Sequence, residues 1–253
     1  MSNRWPRPIV LTYHEVVPGR PTSRYTVSCA QLDAHLHLMR FGIKNGAMQP
    51  RITFDDGHRS NSEYALALLE HYGVRATFFL TAGLIESRGD FMNWSQVREL
   101  LNHGHDIQAH GWSHRFLTLC NDDELQHELD FTKKYLEDKI GRPITSVSMP
   151  GGRIDSRILN AASKLGYSFV YVSDPWVHDQ PYSGLEIIGR AMIRRNTGLR
   201  HIKGLIEQST FTETSIRMAH FLRTSARLLV GESRYHRVWT AFASRSNLHS
   251  SLK

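Results

Sequence analysis

The sequence predicts an α/β protein in which parallel strands form a barrel with helices outside. Three observations carry this. Short apolar, β-favouring runs alternate with helical patterns through most of the chain. Several helical patterns end in a glycine that stops them, at Gly42, Gly73, Gly104, Gly141 and Gly166. Seven strand patterns fall within roughly 190 residues, which suits a (β/α) barrel better than the alternative, an open doubly wound sheet.

Taken in order, residues 8–13 (Pro-Ile-Val-Leu-Thr-Tyr) read as a buried strand that ends at His14-Glu15, before a loop at Pro18-Gly19. Leu32, Leu36 and Met39 mark a helix over 30–41. Residues 52–54 form the second strand. A helix over 61–72 carries Leu68 and Leu69, and residues 74–80 (Val-Arg-Ala-Thr-Phe-Phe-Leu) form the third strand. Ser95 is placed to cap a short helix through Val97, Leu100 and Leu101, and residues 106–109 make a fourth strand. Asn121-Asp122-Asp123-Glu124 has the form of a capping box, opening a helix with Leu125, Leu129, Thr132, Leu136 and Ile140 on one face. Strands at 145–148, 167–172 and 186–193, and a helix at 156–165, complete the pattern. From about Glu213 the composition changes to arginines interleaved with Phe221, Leu222, Leu228, Leu229 and Trp239. The chain is therefore expected to divide into a barrel domain, 1–212, and a basic amphipathic helical extension, 213–253. That extension reads as a helix packed on the barrel or, more sharply, as a peripheral contact with an anionic membrane surface.

Composition sets outer limits. The chain has 253 residues, a net charge of +7 and 15 histidines. A basic balance favours acidic partners without choosing among them, and no nucleic-acid recognition motif accompanies it. Cys29 and Cys120 imply no disulfide framework and suit a reducing compartment. The first residues, Met-Ser-Asn-Arg-Trp-Pro, lack the apolar core of a signal peptide, so the expected location is the cytoplasm or a membrane surface.

Two stretches carry chemistry. Ile52-Thr53-Phe54-Asp55-Asp56-Gly57-His58 sets two carboxylates side by side at a strand end. Like charges so placed repel, and a metal ion relieves them by making one a ligand and leaving the other free for proton transfer. Asp-Asp-Gly is also ordinary turn composition. The second stretch, His110-Gly111-Trp112-Ser113-His114, offers two imidazoles at i and i+4, where one face of a helical turn would bring them to one metal. Both stretches follow strands, and sites in parallel α/β folds gather at the C-terminal ends of strands. Two histidines and one carboxylate leave a coordination position open for water, which points to hydrolysis of an amide, ester or imide carbonyl.

Thr53-Phe54-Asp55-Asp56-Gly57 followed by His110-x-x-x-His114 resembles the polysaccharide deacetylases of carbohydrate esterase family 4. Ala76-Thr77-Phe78-Phe79-Leu80, Gly104-His105-Asp106-Ile107 and Leu117-Thr118 are similar to the family as well, and the resemblance runs from about residue 8 to about 195. It implies a distorted (β/α) barrel of about seven strands that removes N-acetyl groups from amino sugars. It implies Asp55 as catalytic base, and Asp56, His110 and His114 as ligands of a divalent metal, taken as zinc.

The third family motif, Arg-x-Pro-aromatic-Gly, aligns with Ser148-Met149-Pro150-Gly151-Gly152-Arg153. Ser148 stands where the base-orienting arginine is expected, and Arg153 and Arg190 are the candidates to replace it. Pro150, Gly151 and Arg153 become candidate substrate contacts, with Gly151 and Gly152 N–H groups placed to hold an oxyanion, although the pair also reads as a turn. Trp176, after Asp174-Pro175, is the counterpart of the family's groove-wall tryptophan, or else a packing residue. The family's late Leu-His motif is missing. Leu11-Thr12-Tyr13-His14-Glu15 instead resembles the circularly permuted branch that includes poly-N-acetylglucosamine deacetylases, which makes His14 the general acid. The expected partner is an N-acetylated sugar or oligosaccharide, with no nucleic acid. Two other readings stay open at this level: an amidase or imidase acting on a small cyclic amide with the same metal site, and a glycan-binding relative without activity.

Overall fold

The computed structural model describes residues 8–43, 48–87, 89–175, 181–212, 214–215 and 218. Trp176 and almost all of the 213–253 extension lie outside these residues.

Eight strands form one parallel sheet around a barrel: β1 (Val10–Tyr13), β4 (Arg51–Phe54), β5 (Ala76–Leu80), β6 (Asp106–Ala109), β7 (Ser146–Ser148), β8 (Phe169–Val172), β9 (Glu186–Gly189) and β10 (Ala191–Met192). Their order is β10-β1-β4-β5-β6-β7-β8-β9, every pairing is parallel, and helices connect most neighbours. The count differs from seven because the predicted strand at 186–193 breaks at Arg190. Its first half pairs with β8 and its second half with β1. The two ends of the sheet are thus joined through the chain at Arg190, and the barrel closes there. Two three-residue strands, β2 (Glu15–Val17) and β3 (Thr26–Ser28), pair in parallel beside it. They are too short to show a period in the sequence.

The helices around the barrel are α1 (Cys29–His37), α2 (Leu66–Tyr72), α3 (Trp94–Asn102), α4 (Asp122–Gln126), α5 (Thr132–Ile140), α6 (Ser156–Lys164) and α7 (Leu199–Ile206). Asn121 and Glu124 form the anticipated reciprocal capping box at α4. At α3 the cap is Asn93, not Ser95: its side chain accepts from Gln96 N–H while Gln96 reaches back to the Asn93 backbone. An amide two residues earlier satisfies one more orphan donor than the serine would alone. Gly73 and Gly141 end α2 and α5 in the left-handed conformation.

Period-two alternation sorts each strand's side chains into two layers. The outward set makes the main core with the helices, and three directly opposed rings show how. Tyr13, Phe54 and Phe78 are register partners on β1, β4 and β5, and their centroids lie 5.4 and 4.9 Å apart in sequence along the sheet. Burying each such ring stabilises the fold by roughly 1.5–3 kcal/mol, and the stack holds the strand end from which Asp55 and Asp56 project. The inward set is mixed. Val10, Phe79, Tyr171 and Ile188 form a small apolar plug inside the barrel. Thr12, Thr53, Ser148 and Arg190, all buried, are polar neighbours of that plug.

Gly152 tests the packing at the β7 end. Its φ is +68°, and a Cβ there would lie 2.3 Å from Ser173 Oγ and 2.5 Å from Ser173 N. Left-handed strain and overpacking together should make Gly152→Ala about 2–4 kcal/mol less stable, read as a lowered urea midpoint with unchanged slope. A midpoint at the wild-type value would show that the turn relaxes freely.

Candidate active site

Asp55 follows β4, and its N–H donates to Tyr13 carbonyl at 3.0 Å, which continues the ladder by one residue. With Phe54 facing out, alternation turns Asp55 into the barrel, where it is 2% exposed. Arg190 meets it there with two parallel bonds, Nη1 to Oδ1 and Nη2 to Oδ2, each 2.7 Å. Ser148 Oγ donates to Asp55 Oδ2 at 3.0 Å and accepts from Arg190 Nη2 at 2.7 Å. Arg190 Nη1 also reaches Thr53 Oγ1 at 3.3 Å, and the guanidinium lies over the Phe79 and Tyr171 rings. Between the two candidate substitutes for the orienting arginine, the structure chooses Arg190. Arg153, 8% exposed, lies against the Phe116 ring at 4.4 Å.

Burial pushes the Asp55 carboxyl up, but Arg190, with His110 and His14, outweighs it and holds the group below its ordinary pKa. Asp55 is thus an ionised acceptor with two fixed donors on one side.

Asp56 has φ +74° and Gly57 has φ +87°. In a regular strand Asp56 would face away from Asp55. The left-handed conformation, which Asp tolerates better than most residues, breaks the alternation and turns both carboxylates to the same rim. Asp56 Oδ1 lies 3.2 Å from His110 Nε2 and 3.1 Å from His114 Nε2. The three side chains can present one ligand atom each, all within 4.8 Å of one another. His110 Nδ1 is 2.8 Å from the Ser148 carbonyl. That acceptor fixes a proton on Nδ1 and leaves the Nε2 lone pair facing Asp56.

The histidine pair is brought together by a loop, not by the expected helical turn. Gly111 and His114 both have positive φ, +76° and +63°. The loop is pinned by Glu128, a buried carboxylate that accepts from Trp112 N–H at 2.6 Å, Ser113 N–H at 3.1 Å and Ser113 Oγ. A Cβ at Gly111 would lie 2.8 Å from Glu128 Oε2, so the glycine admits the clamp. Glu128 escaped the sequence reading although a signal existed: it sits three residues after Leu125 on the apolar stripe of its helix, where an acid is out of place.

His14 follows β1 and faces the same rim. Its Nδ1 is buried without a hydrogen-bond partner among the described residues, its carbonyl accepts from Asn61 Nδ2 at 2.7 Å, and its ring lies 5.0 Å from that of Tyr25. Burial lowers its pKa, with Asp56 and Asp55 pulling the other way. The Pro150–Gly152 turn lies beside this group, and a Cβ at Gly111 would meet Pro150 Cγ at 3.8 Å. Gly152 N–H donates to Met149 carbonyl at 2.7 Å, so it is committed to the turn and not available to an oxyanion as anticipated. Gly151, φ +66°, has no room for a Cβ against the Phe116 ring. A separate groove of about 480 Å³ between α4 and α6 lies on the outside of the barrel and contains none of the rim residues.

The Arg190–Asp55 pair makes stability depend on pH in a defined direction. Asp55 has a depressed folded pKa, so its contribution is present above the unfolded value of about 3.9 and is lost as pH falls through the lower folded value. Arg190→Met leaves the same carboxyl buried without its main counter-charge. With divalent ions chelated, the variant should be less stable than wild type by about 3–5 kcal/mol at pH 7; burial without the counter-charge raises the Asp55 pKa in the variant, so the gap should shrink as protonation relieves it toward pH 4. A gap that does not vary with pH would show that Arg190 acts by packing alone.

Residues 48–170 match the polysaccharide deacetylase family. The peptidoglycan-N-acetylglucosamine deacetylase of Bacillus cereus is 31% identical over 129 residues, covering 51% of this chain and 57% of that protein. The chain spans about half, or less, of the length of the curated relatives it matches. Among solved structures, the Streptococcus pyogenes deacetylase PplD in complex with acetate aligns with a TM-score of 0.69 at 20% identity, covering 78% of this chain and 97% of that one. BC0361, a polysaccharide deacetylase from Bacillus cereus, aligns with a TM-score of 0.68 at 21% identity, covering 78% and 68%. At these identities the structural likeness is one of fold. The matched segment contains Asp55, Asp56, His110, His114 and the Ser148–Gly152 stretch, and over those residues the chain is similar to the polysaccharide deacetylase family.

Proposed function

We propose that this domain is a metal-dependent hydrolase that removes N-acetyl groups from an amino-sugar glycan or glycan precursor. One observation carries the reading. Asp56 Oδ1 is buried, makes no hydrogen bond among the described residues, and lies within 3.2 Å of two imidazole nitrogens. A carboxylate oxygen and two Nε2 atoms converging without hydrogen-bond geometry are the donor set of a divalent cation, zinc by ligand type. Asp56, His110 and His114 would hold it. When bound, such an ion polarises a carbonyl oxygen and lowers the pKa of water.

The chain's own residues supply the rest. Asp55 accepts the proton of the water that attacks the acetyl carbon. Arg190 and Ser148 hold its carboxylate ionised and aimed. His14 donates a proton to the amide nitrogen as the C–N bond breaks, so acetate and a free amine leave. Burial lowers the His14 pKa, and Asp56 and Asp55 only partly offset it. The placement of the acid on the first strand supports a circularly permuted arrangement. Pro150, Gly151 and Arg153 are retained as substrate-side residues.

Acetate release from N-acetylglucosamine oligomers by the metal-loaded protein tests the reading. Asp55→Asn should lower turnover by about 10²–10⁴ with metal content near that of wild type. Metal lost in that variant would make Asp55 a ligand, and a wild-type protein that neither binds metal nor releases acetate would overturn the proposal. Glu128→Gln offers one acceptor where three donors converge, so the 110–114 loop loosens. Metal affinity should fall by roughly 10–100-fold with far-UV circular dichroism unchanged. Unaltered affinity would remove Glu128 from the site's support.

A further inference from the structure

His14 stands one residue beyond the end of β1, where the sheet no longer holds it. Tyr13 is the last residue of β1 in register with β4, and its carbonyl takes the Asp55 N–H at 3.0 Å. The positive φ of Asp56 and Gly57 then turns the neighbouring chain away, and the ladder stops. Side chains take over from the backbone. Asn61 Nδ2 donates to the His14 carbonyl at 2.7 Å, and Ser60 Oγ accepts from Val16 N–H at 3.1 Å. Between Tyr13 and Val16 the backbone is thus gripped three times by the segment 55–61.

The His14 ring has little else to place it. Its Nδ1 makes no hydrogen bond among the described residues, and its neighbour at 5.0 Å is the Tyr25 ring. A histidine with a bonded Nδ1 is aimed by that bond. Here the aim is set from the backbone.

Asn61 is fully buried, and its Oδ1 has no hydrogen-bond partner among the described residues. A carbonyl only accepts, so Nδ2 is the atom that faces His14 and Oδ1 is turned away. Leucine would fill nearly the same space without an unmatched acceptor, so packing alone does not account for the amide. The grip on His14 does account for it. The segment is also held ready. Asn61 backbone N–H donates to the His58 carbonyl at 3.0 Å. Arg59 N–H donates to the Asp90 carbonyl at 2.9 Å and Met92 N–H to the Gly57 carbonyl at 3.0 Å, which pins 57–61 to the loop after β5.

We propose that Asn61 is the positioning residue of His14. Its side chain replaces the missing rung between β1 and β4 and fixes the acid relative to Asp55 and Asp56, which lie on the same segment. Acid, base and metal ligand then share one reference, although they follow two different strands. This rests on the deacetylase reading for the role of His14, but not for the placement of its ring.

The test uses a leaving group that needs no proton. Metal-loaded wild type, His14→Gln, Asn61→Leu and Ser60→Ala are assayed on an N-acetylglucosamine oligomer and on p-nitrophenyl acetate, whose phenolate departs unprotonated. Asn61→Leu should lower kcat on the amide by roughly 100-fold with KM little changed, and slow the ester far less. Ser60→Ala should show the same split more weakly, and it carries the test if the leucine variant does not fold. Adding Asn61→Leu to His14→Gln should cost nothing further, because a residue that acts through His14 has no target once that ring is gone. Equal losses on both substrates, loss of metal from Asn61→Leu, losses that add in the double variant, or an amide rate unmoved by both single variants overturn the proposal. A second readout needs no turnover. The ring-nitrogen NMR signals of His14, assigned by their loss in His14→Gln, should shift in Asn61→Leu, or in Ser60→Ala, while those of His110 and His114 stay in place. Unmoved His14 signals overturn the proposal. Signals that move as expected in a protein whose wild type releases no acetate would sink the deacetylase reading and leave Asn61 as the residue that places the ring.

Discussion

The bidentate contact between Arg190 and Asp55 is the interaction on which the rest of this structure depends. Removing two charges from water costs several kcal/mol per ion, and only good geometry with further hydrogen bonds offsets it. Both conditions are met: two 2.7 Å bonds, a serine hydroxyl bridging both partners, and a threonine on the second guanidinium nitrogen. The apolar plug of Phe79 and Tyr171 closes the guanidinium from below. Because Arg190 also marks the break between β9 and β10, the ion pair ties β4 to the seam where the barrel closes. Closure and the charge state of Asp55 are therefore one problem with one solution.

That pair also explains how two adjacent carboxylates coexist. Repulsion between them is not shared out evenly. Asp55 is neutralised from inside the barrel by the Arg190 guanidinium, and Asp56 faces two imidazoles on the rim. Positive φ at Asp56 and Gly57 makes the division possible, since a regular strand would have sent the second carboxylate into the outer core. The same device recurs at Gly111 and His114, where a loop held by Glu128 replaces a helical turn. Strained backbone gathers at the site, as it does where side chains must converge against the pattern of their elements.

The rim is electrically uneven. On one side stand the carboxylates with their histidines, and on the other the Tyr25 ring beside His14, with the Arg24 and Arg194 guanidinium carbons 5.7 and 6.0 Å from its centroid. The local separation of charge is informative where the net charge of the whole chain was not, because a total says nothing about which residues share a face.

Much of the fold and half of the site were legible in the sequence. The strand ends at Tyr13, Phe54 and Ala109, the glycine stops and the Asn121 cap follow from local rules, since alternation, helical period and capping act within a few residues. Asp55, Asp56, His110, His114 and His14 could be picked out because each sits one or a few positions beyond a strand end. Tertiary structure alone decided what those residues touch. Arg190 lies 135 positions from Asp55, and nothing local says that a predicted strand will break there and pass its side chain across the barrel. Whether Arg190 or Arg153 takes the place left by Ser148, how Glu128 clamps a loop, and which ring covers His14 all depend on closure of the barrel. Closure joins residues by geometry that no short period records.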